Sequence, residues 1–352
     1  NPGGALYIQG DVSHTAKVTM LRSTIRGCEA SKSGGAVYMT GGGVSGKAVL
    51  VLISSSLELN KGGGDGGGAI YASQGASVVV RGGTPSYLKN NEATTGYGAG
   101  IFLKDAGTSL SVKGSGTQLT IDGNTAERFG GGIFANNGAV VTSSAGAHIE
   151  VKNNKATTAA GGGIFVENDG TKLDITGTGT QLIIDGNTAK TAGGGLWSAD
   201  SSLKVAAGAH LDVTNNKGDG GGGLKLRGNS IFEVQGIGTQ VLIDNNAAIP
   251  FTGEFQRGGG IYTIDSLLVV SAGAHLTTSN NEAAAGGGIM FESRGSVAHN
   301  GDQFTLCSEL SIVGSGTRVF IDGNVAHGTG GGIWSLSSVN VAVSEGARLE
   351  VT

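Results

Sequence analysis

The residues of this chain that could do chemistry arrange themselves in columns. Asp122, Asp185, Asp244 and Asp322 recur in one context, and His148, His210 and His275 in another. Clustered carboxylates would serve acid–base chemistry, and clustered imidazoles would hold a metal. Recurrence argues against both, because a catalytic centre is unique while an architectural residue returns with each repeat. Successive histidines are two repeats apart, roughly 9–10 Å at strand spacing, too far to share a metal through bonds of about 2 Å. The non-repeating stretches are Pro250–Arg257, with Glu254 and Arg257, and Glu292–Glu309, with Arg294, His299, Asp302 and Glu309. A specific site, if the chain has one, belongs there. Cys28 and Cys307 stand about nine repeats apart, beyond the ~7 Å Cα reach of a disulfide. Cys28 is expected to be buried, and Cys307 is left open to pairing with another molecule. No catalytic, metal or cofactor residue is assigned.

The elements that position these residues follow from composition and repetition. Of 352 residues 68 are Gly and 3 are Pro, a Gly share of about 19% against the usual ~7%. No every-third-residue period accompanies the Gly, which excludes collagen. The hydrophobic fraction of 38% supplies a core. Lys+Arg 23 against Asp+Glu 27 gives a net charge of −4, so the chain lacks the cationic footprint of a nucleic-acid binder. No apolar run reaches the ~18 residues of a membrane helix; the longest lies near Ala48–Ile53.

A Gly-rich triplet followed by an aliphatic residue occurs eleven times, from Leu6 to Ile333, at a period of about 32 residues. Insertions lengthen the period at 247–257 and 293–309. A second element precedes the triplets: an apolar residue, two variable positions, Asn, one variable position, then Ala or Gly. Its Asn positions are Asn60, Asn91, Asn124, Asn154, Asn187, Asn216, Asn246, Asn281 and Asn324, with Cys28 in the same slot of the first repeat. Thr278 replaces the apolar residue in one copy. Alternate repeats read GSGTQL and AGAHL, so a double period of about 62 residues overlies the single one. Each repeat holds three short segments of alternating or β-branched character joined by Gly, Asn and Ser turns, and none has helical spacing. The expected fold is all-β: a right-handed parallel β-helix of about eleven triangular coils, one solenoid over residues 1–352. The Asn column suits an internal amide ladder.

The residue after each aliphatic slot is aromatic in nine of eleven repeats: Tyr7, Tyr38, Tyr71, Phe102, Phe134, Phe165, Trp197, Tyr262 and Trp334, with Lys225 and Met290 in the others. Apolar residues flank this slot, as Ile101 and Leu103 flank Phe102, so period-2 alternation turns the ring outward. An outward aromatic ladder is expected, which either covers its own sheet or packs laterally or binds glycan.

The pairing of Ile121–Asn124 with Gly131–Phe134, and of Leu57–Asn60 with Gly67–Tyr71, resembles the polymorphic outer-membrane protein repeat of chlamydial autotransporter adhesins. The resemblance covers the whole chain and implies a β-helical passenger exposed at a cell surface and acting by adhesion. Two features depart from it: the Phe of the family's first element is aliphatic here, and no β-barrel translocator is present. The expected function is therefore a non-catalytic extracellular building block of a rod, filament or adhesin. Its expected partners are copies of itself, laterally or end to end, or surface glycans or proteins. The alternative is a polysaccharide lyase or hydrolase of the β-helix type. The chain opens without Met and ends where the next Asn is due, with no capping helix at either end, so a fragment of a longer rod is expected.

Overall fold

The computed structural model describes residues 3–11, 13–42, 47–249, 256–299 and 302–352, with 295–299 and 302–306 as backbone alone. One coil shows the plan of all. Ile101–Lys104, Ser109–Lys113, Gln118–Asp122 and Thr125–Ala126 are successive strands of one coil, and each pairs in parallel with its counterpart one coil away. Repetition builds four sheets, here A to D, of eleven, eleven, eleven and ten strands. The period keeps register along the whole stack, as in Ile101↔Ile133 and Ile133↔Ile164.

The sequence pattern predicts three strands per coil, and the structure adds a fourth. The Asn column ends sheet C, and the next two residues form the short strand of sheet D with their small Ala or Gly facing in. Positive φ makes the bend possible. The residue before each ladder position is Gly27, Leu59, Asn90, Gly123, Asn153, Gly186, Asn215, Asn245, Asn280 or Gly323, and every one has φ between 51° and 66°. Gly and Asn are the residues that tolerate this region, and Leu59 is the exception.

Inside the coil Ile101, Leu103, Leu110, Val112, Leu119 and Ile121 are fully buried, and the same slots fill one continuous core from end to end. Each such side chain contributes about 1.5–3 kcal/mol on burial, and it does so against the coils above and below. Stability is therefore a sum over neighbouring coils.

The second insertion is a hairpin: Gly295–His299 pairs antiparallel with Asp302–Leu306 between a sheet A strand and a sheet B strand. In the first, Ala247–Ala248 still forms a regular sheet D strand, so the irregularity begins after Ala248. Glu254 lies outside the described residues, as do the side chains of His299 and Asp302.

Candidate functional site

The Asn column is a ladder. Asn154 Nδ2 donates to the Ile121 carbonyl at 2.9 Å and to Asn187 Oδ1 at 3.0 Å. Its own Oδ1 accepts from the backbone N–H and Nδ2 of Asn124, both at 2.9 Å. The same bonds link Asn60, Asn91, Asn124, Asn154, Asn187, Asn216, Asn246, Asn281 and Asn324 without a break. Cys28 keeps the backbone half of the pattern, its N–H reaching Asn60 Oδ1 at 3.0 Å. It is half-buried, a correction to the buried cysteine expected from sequence. From Gly132 to Gly288 the third Gly of the triplet packs on this ladder: a Cβ at Gly132 would lie 3.2 Å from Asn154 Nδ2 and 2.7 Å from the Gly163 carbonyl oxygen.

The recurring aspartates brace the next coil. Asp122 accepts from Asn153, Asp185 from Thr214 and Asn215, Asp244 from Ser279 and Asn280, and Asp322 from Thr352. His148, His210 and His275 alternate with Gln181 and Gln240 in one register column on the outer face of sheet C. Cys28 and Cys307 are both free.

The aromatic column is directed outward, but most of it is a covered layer and not an exposed packing or glycan-binding stripe. Its rings do leave the main core and lie on the outer face of sheet A, Tyr7 stacking on Tyr38 at 5.4 Å and Tyr38 on Tyr71 at 4.9 Å. The column continues through Phe102, Phe134 and Phe165 to Trp197. Lys225 then carries it on, with Nζ 4.7 Å from the Trp197 ring centroid and 4.8 Å from that of Tyr262. However, Tyr71, Phe102, Phe134, Phe165 and Tyr262 are at most 5% exposed, and Tyr38, Trp197 and Trp334 are half-buried. Tyr7, in the first described coil, is the one exposed ring of the nine. The chain after sheet D folds back across sheet A, laying Tyr97 against Phe102 and Phe134 and Phe129 against Phe165. Arg128 fastens this cover through Nη1 to the Tyr97 hydroxyl at 2.9 Å. The rings form a second, smaller core. Burial raises the Tyr38 and Tyr71 hydroxyls above their usual pKa, with neighbouring Tyr and Asp charges adding to it.

The two insertions meet at one polar cluster. Glu292 ends a sheet A strand just before the hairpin, and Arg257 is the last residue of the first insertion. Arg257 Nη1 donates to Glu292 Oε2 at 2.7 Å, Arg294 Nε donates to Oε1 at 3.0 Å, and the Tyr262 hydroxyl donates to Oε2. The Glu292 side chain is 10% exposed. Burial alone would raise its pKa. The hydrogen bonds from Tyr262 and Arg294 and the charges of Arg257 and Arg294 outweigh burial and hold it below the usual carboxylate value. Burial, with Glu292 alongside, pushes Tyr262 up to about 12. Sequence reasoning located Arg257 and Arg294 in the non-repeating stretches; what it missed was that Tyr262 joins them. Among the described residues no group of three or more His, Cys, Asp or Glu is placed to hold a metal ion.

A continuous four-sheet coil with a glycine corner and a polar ladder narrows the comparison to one architecture, and the model of the family described as right-handed β-helix region matches residues 1–180. The chain belongs to the right-handed β-helix family. No curated protein matches the sequence. Among solved structures, the β-helix aligns with the crystal structure of a TibA fragment hyperglycosylated by TibC. The alignment covers 98% of this chain and 99% of the other, at 13% identity and a TM-score of 0.22.

Proposed function

We propose that this β-helix is a non-catalytic, surface-exposed rod that serves as a structural or adhesive shaft, as its repeat resemblance to polymorphic outer-membrane passengers implies. One observation carries the reading: the recurring asparagines and aspartates are engaged in holding coil to coil. The ladder asparagines and the bracing aspartates spend their hydrogen-bonding atoms within the stack. The covered aromatic column works as a second core, which moves any adhesive role away from it.

A polysaccharide-cleaving reading has its best footing at Glu292, buried beside Arg257, Tyr262 and Arg294. A general acid must carry a proton near working pH. Glu292 is favoured in its ionised form, which does not suit an acid, and both its oxygens already accept hydrogen bonds, which leaves neither free to serve as base or nucleophile. That arrangement suits a pin tying both insertions to the shaft.

The test has two arms. Beads coated with the purified chain should be retained on host-cell or matrix surfaces. Incubation with acidic and neutral polysaccharides should release no reducing ends or unsaturated sugars. Turnover that disappears in Glu292→Gln would sink the shaft reading in favour of the enzyme.

A further inference from the structure

Sheet B is the face whose outward side chains the rest of the fold leaves unexplained. Sheet A is covered by the returning chain over Phe102, Phe134 and Phe165, and sheet C presents a mixed polar surface. On sheet B the alternation fails at two places. In the first coils Leu21, Val49, Ile53 and Val79 point outward beside Val51, which is flanked in register by Thr19 and Val79. Leu21 is 58% exposed. This is the Ala48–Ile53 run, apolar on both faces. Toward the other end Ile231, Leu267, Val269 and Val313 form a second outward apolar patch, with Ile231 38% exposed.

The charges around the two patches have opposite sign. Lys17, Arg81 and Lys113 stand on the outer face of sheet B around the first patch, with no acid on that face across the first four coils. Glu309 stands in the second, in register with Leu267, beside Glu233, which is in register with Val269 and is ion-paired with Lys204 of the preceding coil at 3.2 Å. Between the patches Lys172 and Asp174 balance.

We propose that sheet B is the interface between two copies of this chain, packed face to face and antiparallel. A two-fold axis across the middle of the rod sets the basic apolar patch of each copy on the acidic apolar patch of the other, twice over, as an isologous contact requires. A parallel arrangement would set like charge on like, which costs affinity. The face also has the needed size. Eleven strands at about 4.8 Å by five residues at about 3.3 Å give roughly 800 Å² per copy, the usual scale of a specific interface. The inference goes beyond the proposed function and stands apart from it, since a shaft or an enzyme could equally dimerise.

Sedimentation velocity on the full chain should show a dimer. Arg81→Glu with Lys113→Glu in one chain, or Glu233→Lys with Glu309→Lys in another, should each weaken it at least about tenfold. Mixing the two variants should restore a one-to-one heterodimer, because both contacts are then complementary again. Circular dichroism checks that the variants fold, and the milder Leu267→Thr, Ile231→Ser pair replaces any that does not. A wild-type chain monomeric at all concentrations overturns the proposal. So does a dimer indifferent to both charge reversals, a mixture that fails to re-pair, or a monomer that floats with anionic phosphatidylserine vesicles through the basic patch.

Discussion

Replacing Asn154 with Ala tests whether the polar ladder or the apolar core sets the cohesion of the stack. Asn154 is 1% exposed and takes part in four side-chain hydrogen bonds: two donated by Nδ2 and two accepted by Oδ1. At a net of about 1 kcal/mol each, their loss comes to about 4 kcal/mol. Part of that cost is the Asn124 backbone N–H, left buried without its acceptor. The expected destabilisation is therefore about 3–5 kcal/mol. Asn324→Ala removes the same kind of contacts at a half-exposed rung, where water can take over, and should cost only about 1 kcal/mol. Asn154→Asp keeps the acceptor but turns a carboxylate on the Asn187 and Ile121 oxygens. It should be worse than Ala at neutral pH and recover in part as the pH falls.

A stacked array need not unfold in one step, so hydrogen exchange read by mass spectrometry is the primary assay and urea unfolding the second. In Asn154→Ala the Asn124 amide should lose protection while amides near Asn246, three coils away, keep theirs. A loss of less than about 1 kcal/mol, with the Asn124 amide still protected, would refute the claim that the ladder holds neighbouring coils together.

Five further outcomes follow from single positions. Thr278 is fully buried in a slot that holds Ile in both neighbouring coils, and its hydroxyl has no partner, so Thr278→Val should stabilise by roughly 1–2 kcal/mol, read as a higher urea midpoint. Leu59 holds φ 54° and is 44% exposed; Leu59→Asn should stabilise by up to about 1 kcal/mol by matching the asparagines at this slot, measured by thermal melting. Gly131→Ala would put a Cβ 2.4 Å from the Gly162 carbonyl oxygen and should cost roughly 3 kcal/mol or more. Gly27→Ala, where a Cβ meets nothing, should cost about 1 kcal/mol from φ 66° alone. The Glu292 pKa is depressed in the folded chain, so its stabilisation is complete above the unfolded-state value near 4.5 and is lost as pH falls through the lower folded value. Glu292→Gln should thus be less stable than wild type at pH 7, and the gap should narrow in acid; a gap that widens would contradict the sign.

Much of the fold was legible because each coil repeats its instructions. Inward slots such as Ile101, Leu103 and Ile121 follow from period-2 alternation, and the Asn column from a polar residue returning where the core should be dry. The double period has a physical origin that pattern alone did not reveal. Thr180 is 1% exposed; its hydroxyl donates to the Thr176 carbonyl and accepts from the Gly146 N–H one coil away. Thr239 does the same with Gln235 and Gly208, and Thr317 with Val313 and Gly273. One coil of each pair supplies the hydroxyl and the other a glycine N–H, which is why GSGT and AGAH alternate. The fourth strand was missed because two residues are too few to show a period; the Gly-Asn and Asn-Asn pairs marked its bend through their tolerance of positive φ.

The aromatic column shows where alternation stops informing. Period 2 states which face of a strand a side chain leaves by, and for Phe102, Phe134 and Phe165 it was right. It is silent on what another stretch of chain lays over that face. The cover comes from the slot just before the triplet, occupied by Tyr97 and Phe129 in two coils and by Ala160 and Ala192 in the next two. Small residues there would read as more of the crowded corner, so two large rings among them looked incidental. Their ring contacts with the column at 4.7–5.8 Å make the outer face of sheet A around Phe102, Phe134 and Phe165 an interior surface. A partner for this rod must then be sought on faces that break the repeat outward, the apolar ends of sheet B first among them.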